Sequence, residues 1–312
     1  MILQIFILIA GLLLILFGAN YLVDGSSSIA RRFGLSEFVI GLTIVGIGTS
    51  TPEMVVSFFS AIQGKSDMAI GNVVGSNIFN TLLILGITAV ICPIKISRNA
   101  IRKDIPLNIA ITVLLILLGM NGMLSRIDGA ILMGIFIWYM WSSFKSTSNE
   151  DEQSEEEEIK NYSLGASIAF IIGGLVALVF GGRLFVNSAT AIAQALGMSE
   201  KFIAITIMAA GTSMPELATS AVAAFKKRGQ LALGNVVGSN ISNILLIIGG
   251  SSLITPLSFT GMSVVDLGTL LGCTVFILLS AVMFKKKQLD RIEGTILLMC
   301  EAAYMWYLIS NL

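Results

Sequence analysis

The sequence predicts an all-α polytopic membrane protein, with ten transmembrane helices forming two inverted-topology five-helix repeats. Three observations lead there. Of 312 residues, 55% are hydrophobic and only 12% charged, and mean hydropathy is +0.89. A soluble protein carries about 25% charged residues. Apolar runs recur from end to end, each long enough to cross a ~30 Å hydrocarbon core. Finally, the octapeptide GNVVGSNI occurs twice, at 71–78 and at 234–241.

Taken in order, the apolar segments are 3–24, 37–62, 68–92, 104–121, 127–144, 164–188, 201–225, 231–254, 264–284 and 292–310. The first is expected to be a transmembrane helix rather than a signal peptide. It lacks a basic leader and a small-residue cleavage site, and it has a counterpart later in the chain. Residues 145–161, KSTSNEDEQSEEEEIKN, hold seven of the nineteen acidic residues. Such a charge run reads as a solvated linker. It separates a first repeat, 1–144, from a second, 162–312.

The loops orient the chain. Counted by alternation, one side collects fifteen of the nineteen basic residues, among them Arg31, Arg32, Lys95, Lys103, Lys226 and Arg228. The other side holds only Lys65, Arg126 and Lys201. By the positive-inside rule the first side is cytoplasmic. Both termini are then expected outside, the acidic linker inside, and the protein in the plasma membrane.

The repeats are in register. At an offset of 163, GTSTPE at 48–53 returns as GTSMPE at 211–216, and Pro93 matches Pro256. At an offset of 165, Arg126-Ile-Asp-Gly129 matches Arg291-Ile-Glu-Gly294. Each half holds an odd number of spans, so the second copy enters the membrane from the opposite side. That is the inverted repeat of many secondary transporters, and it sets the two copies of a motif face to face near the midplane.

Composition excludes several classes. With no histidine, His-based metal sites, Ser–His dyads and His proton relays are ruled out. A formal net charge of zero gives no footprint for nucleic acid. Cys92, Cys273 and Cys300 are scattered and form no metal or disulfide framework. No base partners a serine, so an intramembrane protease is not supported.

Glu53 and Glu216 lie deep in the second and seventh segments. A charge at the bilayer centre costs about 2.5–3.5 kcal/mol even on lenient scales. Two at equivalent positions point into a shared interface, where a cation can neutralise them. Gly48 and Pro52, and Gly211 and Pro215, should break their helices and free carbonyls near Gly46 and Ala209. Thr49, Glu53 and Ser57 share one helical face, as do Thr212, Glu216 and Ser220. Ser50 and Ser213 sit within the same broken turns. Asn72, Ser76 and Asn80 form a second polar face, repeated by Asn235, Ser239 and Asn243. Every donor is oxygen, which suits Ca²⁺ with its 6–8 oxygen ligands; Na⁺ fits the same atoms.

G-T-S-x-P-E and G-N-x-x-G-S-N, each present twice, resemble the α-repeats of the Ca²⁺/cation antiporter superfamily. The likeness is to the sodium/calcium exchanger branch, especially its compact prokaryotic members, and covers nearly the whole chain. The resemblance implies alternating access by sliding of the first and sixth helices, and electrogenic exchange of Na⁺ for Ca²⁺. It implies that Glu53 and Glu216 bind both ions. Thr49, Ser50, Thr212, Ser213, Ser76 and Ser239 would supply hydroxyls, and Gly46 and Ala209 carbonyls. One departure stands out: some members carry Asp where this chain has Asn243. With amides at both Asn80 and Asn243, K⁺ co-transport is not expected. The expected partners are Ca²⁺, Na⁺ and the lipid bilayer, with no cofactor and a functional monomer. The alternative reading is H⁺/Ca²⁺ antiport. A passive channel is disfavoured, because channels usually build pores from symmetric subunits.

Overall fold

A computed structural model describes residues 1–145, 161–198, 209–283 and 287–310. The acidic linker and the start of the seventh predicted segment therefore lie outside the described residues. Helix α1 (Ile2–Phe33) stops at Gly34, whose φ of 63° is left-handed and suits a residue without Cβ. Ser36 then caps the next helix, its Oγ accepting from Val39 N at 3.2 Å. That span is broken. α2 (Glu37–Thr49) and α3 (Thr51–Ile62) meet at Ser50 with a bend of 47°. α4 (Ser66–Ile91) follows, then α5 (Ile105–Gly119), with Pro106 in its first turn, and α6 (Arg126–Lys145).

The second half begins with α7 (Leu164–Ala195), capped by Ser163. The short turn α8 (Ala209–Thr212) precedes α9 (Met214–Phe225), with Pro215 in its first turn. α10 (Gly229–Ile254), α11 (Val264–Met283) and α12 (Arg291–Ser310) complete the chain. Among the described residues, six helices are long and apolar enough to cross a membrane, or seven if the bent α2–α3 pair is one span. Fewer segments pass than the ten expected from sequence: α5 has 15 residues, and the start of the seventh expected segment lies outside the described residues. The outer faces of α1 and α7 expose Phe6, Phe17, Val176 and Phe180, as a multi-pass membrane protein requires.

The helices are not uniformly α-helical. Residues Gly41–Val45, Asn80–Ile84 and Asn243–Ile248 form π turns, which occur mostly at functional sites. The structure also departs from an all-helical reading at the loops. β1 (Ile94–Lys95) pairs antiparallel with β4 (Gln288–Leu289), and β2 (Met123–Leu124) with β3 (Leu257–Ser258). α5 runs from β1 to β2, so the two strand pairs lie at opposite ends of the bundle. At the β1 end Ile96 N donates to Lys287 O at 2.7 Å, and Gln230 Nε2 donates to Lys95 O. At the β2 end Arg126 donates to Ile254 O at 3.2 Å.

Glycine sets how closely the helices approach. α1 and α7 run antiparallel, Gly18 facing Gly174 and Gly11 facing Gly181. A Cβ added at Gly174 would sit 2.7 Å from Gly18 O and 2.9 Å from Leu22 N. The next-door Gly173 faces outward, with nothing within 4 Å of its added Cβ. Gly174→Ala is therefore expected to destabilise the protein by about 1–3 kcal/mol through overpacking. Gly173→Ala should be neutral, or stabilising by up to about 1 kcal/mol of helix propensity. Thermal unfolding of the detergent-solubilised variants checks the contrast; equal effects would overturn it.

Candidate ion-binding site

The centre of the molecule is polar. Glu53 and Glu216, near the starts of α3 and α9, are fully buried. Each helix starts where its proline cannot donate a backbone hydrogen bond, so the glutamate one residue later sits at the break. Glu53 Oε1 accepts from Ser213 Oγ at 3.1 Å and from Ser76 Oγ at 3.4 Å. Glu216 Oε1 accepts from Ser50 Oγ at 3.0 Å. Each carboxylate thus takes its hydroxyl from the opposite broken helix. Thr49 crosses as well, donating to Asn235 Oδ1 at 3.1 Å.

The asparagines of the octapeptides brace this arrangement. Asn72 Nδ2 donates to Ser57 Oγ at 3.0 Å and to Glu53 O at 3.2 Å. Asn235 Nδ2 repeats this with Ser220 Oγ at 2.9 Å and Glu216 O at 3.4 Å. These bonds fix the glutamate backbones against α4 and α10 and leave the side chains aimed inward. Asn77 and Asn240 form the link that sequence reasoning missed. Asn80 Nδ2 donates to Asn240 Oδ1 at 3.2 Å, and Asn243 Nδ2 to Asn77 Oδ1 at 2.9 Å. Their recurrence in both octapeptides was the available signal, but they lie off the face shared by Asn72, Ser76 and Asn80.

Among the glutamates and amides of this site, four buried oxygens have no hydrogen-bond partner: Glu53 Oε2, Glu216 Oε2, Asn80 Oδ1 and Asn243 Oδ1. Leaving such acceptors unpaired is costly, and a buried carboxylate without a counter-charge costs several kcal/mol. The ion pairs found among the described residues, Lys226–Asp24 at 2.6 Å and Arg228–Glu37 at 2.7 Å, involve neither glutamate. The amides at 80 and 243 each donate from Nδ2 to another asparagine, and in each the oxygen is the atom without a partner. Four orphaned acceptors and no base make a set of atoms complementary to a hard cation.

The other sequence-derived residues divide. Ser239 is buried and donates to Gly46 O at 3.1 Å. Gly46 O also accepts from Thr49 Oγ1 at 3.4 Å and Ser50 N at 3.2 Å. That carbonyl was expected to be free, and it is not. Pro52 lacks the N–H that would reach four residues back, so the carbonyl it releases is that of Gly48. Thr51 Oγ1 donates to Gly48 O at 2.7 Å. Thr212 is half-buried where its counterpart Thr49 is buried, and Asn72 is half-buried where Asn235 is buried. Ala209 opens α8, and the residues before it lie outside the described chain.

The family model described as sodium/calcium exchanger protein matches residues 3–145 and 166–310. The chain belongs to the sodium/calcium exchanger family. It is 33% identical over 96% of its length to the sodium/calcium exchanger MaX1 of Methanosarcina acetivorans, of which 96% is covered. It is 35% identical over 82% of its length to the inner membrane protein YrbG of Escherichia coli, with 81% of that chain covered. A solved structure of the sodium-calcium exchanger NCX_Mj, soaked with 10 mM Na⁺ and zero Ca²⁺, superposes with a TM-score of 0.86. Identity there is 35%, over 100% of this chain and 99% of that one.

Proposed function

We propose that this exchanger-family protein moves Na⁺ against Ca²⁺ across the membrane by alternating access, and does transport rather than chemistry. The observation that carries the reading is the pair of buried glutamates, each with one orphaned oxygen and outside the ion pairs found among the described residues, together with the orphaned amide oxygens of Asn80 and Asn243 on α4 and α10. Two carboxylates balance one Ca²⁺, and the same oxygens suit Na⁺ when Ca²⁺ leaves. The sequence-derived ligands Glu53, Glu216, Thr49, Ser50, Ser213, Ser76, Ser239, Asn80 and Asn243 form or adjoin this set. Thr212 and the carbonyls of Gly46 and Ala209, equivalent residues of the two repeats, complete the proposed site.

The architecture we infer is ten helices in two inverted five-helix repeats, 1–144 and 162–312, joined by the linker 145–161. Reciprocal hydrogen bonds between equivalent residues support it, as do the reciprocal strand pairs and the two stretches matched by the family model. The antiparallel glycine seam between α1 and α7 suits a sliding pair. The unequal covering of Thr49 and Thr212 supports access to the site from one side at a time. Lys95, Lys287 and Arg228 cluster at the β1 end, supporting that end as cytoplasmic and both termini as outside the plasma membrane. Neutral amides at Asn80 and Asn243 support exchange without K⁺; a functional monomer and net charge movement belong to the same proposal.

In proteoliposomes, an outward Na⁺ gradient is expected to drive Ca²⁺ uptake and a pH gradient alone is not. Uptake that follows the pH gradient regardless of Na⁺ would reject this reading in favour of H⁺/Ca²⁺ antiport.

A further inference from the structure

A ligand asparagine serves a cation only with its amide the right way round. The same carbon carries an acceptor oxygen and a donor NH₂ group, and a reversed amide presents hydrogens to the ion. The two ends are nearly equal in shape, so hydrogen bonding has to choose between them. Asn80 lies one helical turn beyond Ser76, whose hydroxyl reaches Glu53 Oε1. Asn243 lies one turn beyond Ser239, which reaches Gly46 O. What sets each amide can be followed bond by bond.

Asn243 Nδ2 donates to Asn77 Oδ1 at 2.9 Å. Asn77 is itself held, because its Nδ2 donates to the main-chain carbonyl of Asn240 at 3.1 Å. A carbonyl only accepts, so Asn77 turns its nitrogen to it and its oxygen to Asn243. Asn243 must then offer its own nitrogen, and its oxygen is the atom left over.

The other ligand amide is held in the same way, with one group inserted. Asn80 Nδ2 donates to Asn240 Oδ1 at 3.2 Å, and Asn240 Nδ2 donates to Thr81 Oγ1 at 2.8 Å. Thr81 Oγ1 spends its single hydrogen on the main-chain carbonyl of Asn77 at 2.9 Å, so toward Asn240 it only accepts. Asn240 therefore turns its nitrogen to Thr81 and its oxygen to Asn80, and Asn80 Oδ1 is left over. At an offset of 163 the counterpart of Thr81 is Ile244. No hydroxyl is needed there, because Asn77 reaches its carbonyl directly. All these side chains are buried, which makes an unpaired amide costly.

We propose that Asn77, Asn240 and Thr81 are positioning residues that set the polarity of the two ligand amides, with the main-chain carbonyls of Asn77 and Asn240 as fixed end points. The inference rests on the reading of Asn80 and Asn243 as ion ligands. Without the Thr81 hydroxyl, Asn240 Nδ2 loses its acceptor. Its amide is then free to reverse and donate to Asn80 Oδ1. That withdraws an oxygen from the cation and turns the Asn80 NH₂ group toward it.

Calorimetric titration of the purified, detergent-solubilised protein with Ca²⁺ tests this, scoring the binding that Glu216→Gln abolishes. Thr81→Val keeps the side chain's shape and deletes the hydroxyl. It is expected to weaken Ca²⁺ binding about tenfold, the low end for groups that orient metal ligands. Thr81→Ser restores the hydroxyl and should bind as wild type. Thr88→Val is the matched control: Thr88 is buried on the same helix and donates to Ile84 O at 2.7 Å, outside the asparagine network. It should also bind as wild type. If Thr81→Val does not fold, Thr81→Ala against Thr81→Ser makes the same comparison. Wild-type affinity in the variants without the hydroxyl, or equal losses in Thr81→Val and Thr88→Val, overturns the positioning role alone. A wild type that binds no Ca²⁺ overturns the ligand reading, and the positioning role with it.

Discussion

Glu216→Gln, and equally Glu53→Gln, should abolish Ca²⁺ uptake while leaving the protein folded. The substitution keeps the side chain's shape, and an amide oxygen still accepts from Ser50 as Glu216 Oε1 does at 3.0 Å. What changes is the orphaned position. Glu216 Oε2 has no partner, and an NH₂ group there presents hydrogens where the cation needs an acceptor. A unit charge about 4 Å from a monovalent ion is worth about 4 kcal/mol at intermediate dielectric, and more for a divalent one. Each 1.4 kcal/mol is about tenfold in affinity, so binding should weaken by at least about a hundredfold. Stability moves the other way. Neutralising a buried, unpaired carboxylate removes a desolvation penalty, so the ion-free variant should unfold at the wild-type temperature or above it. The rise in Tm that Ca²⁺ gives the wild type should vanish. Uptake with an unchanged KM, or a retained Ca²⁺-dependent Tm, would remove the glutamates from the site.

The glutamates and their hydroxyl partners were legible in the sequence because a carboxylate inside an apolar run is conspicuous, and because the run appears twice. Spacing placed Ser76 on a polar face, but the exchange of Ser213 to Glu53 and of Ser50 to Glu216 across the repeats shows only in the structure. Legibility failed wherever the chain departs from the α period. The π turns at Asn80 and Asn243 widen the helix and bring Asn77 and Asn240 into a network that 3.6-residue spacing puts off-face. The proline at the break counts back to the carbonyl of Gly48, and that of Gly46 accepts from Ser239, Thr49 and Ser50, contacts that spacing alone does not show. The strand pairs escaped notice because two-residue strands carry no periodicity of their own and exist only through partners about 130 to 190 residues away.

The strongest consequence of close helix packing at glycine falls at Gly238. This residue lies in the second octapeptide on α10, a helix buried at every position from Leu231 to Ser242. A Cβ built there would collide with the backbone of Leu42 on α2, at its Cα, carbonyl carbon and carbonyl oxygen. One helical turn earlier Gly234 meets the Phe38 carbonyl in the same way, and Gly41 of α2 meets Leu231 O in return. The obstacle is main chain on both sides, so no rotamer change relieves it. Either α10 moves away from α2, or the protein does not fold. Moving away would carry Ser239 from Gly46 O and Asn235 from Thr49, so the site is lost by either route. Gly238→Val is expected to cost about 3 kcal/mol or more and to eliminate the monodisperse peak in size-exclusion chromatography of the solubilised protein. Gly272→Val, on the open face of α11 with nothing within 4 Å of its Cβ, should elute as wild type. If both variants behave alike, the contact between α2 and α10 is not what holds the two broken helices together around their glutamates.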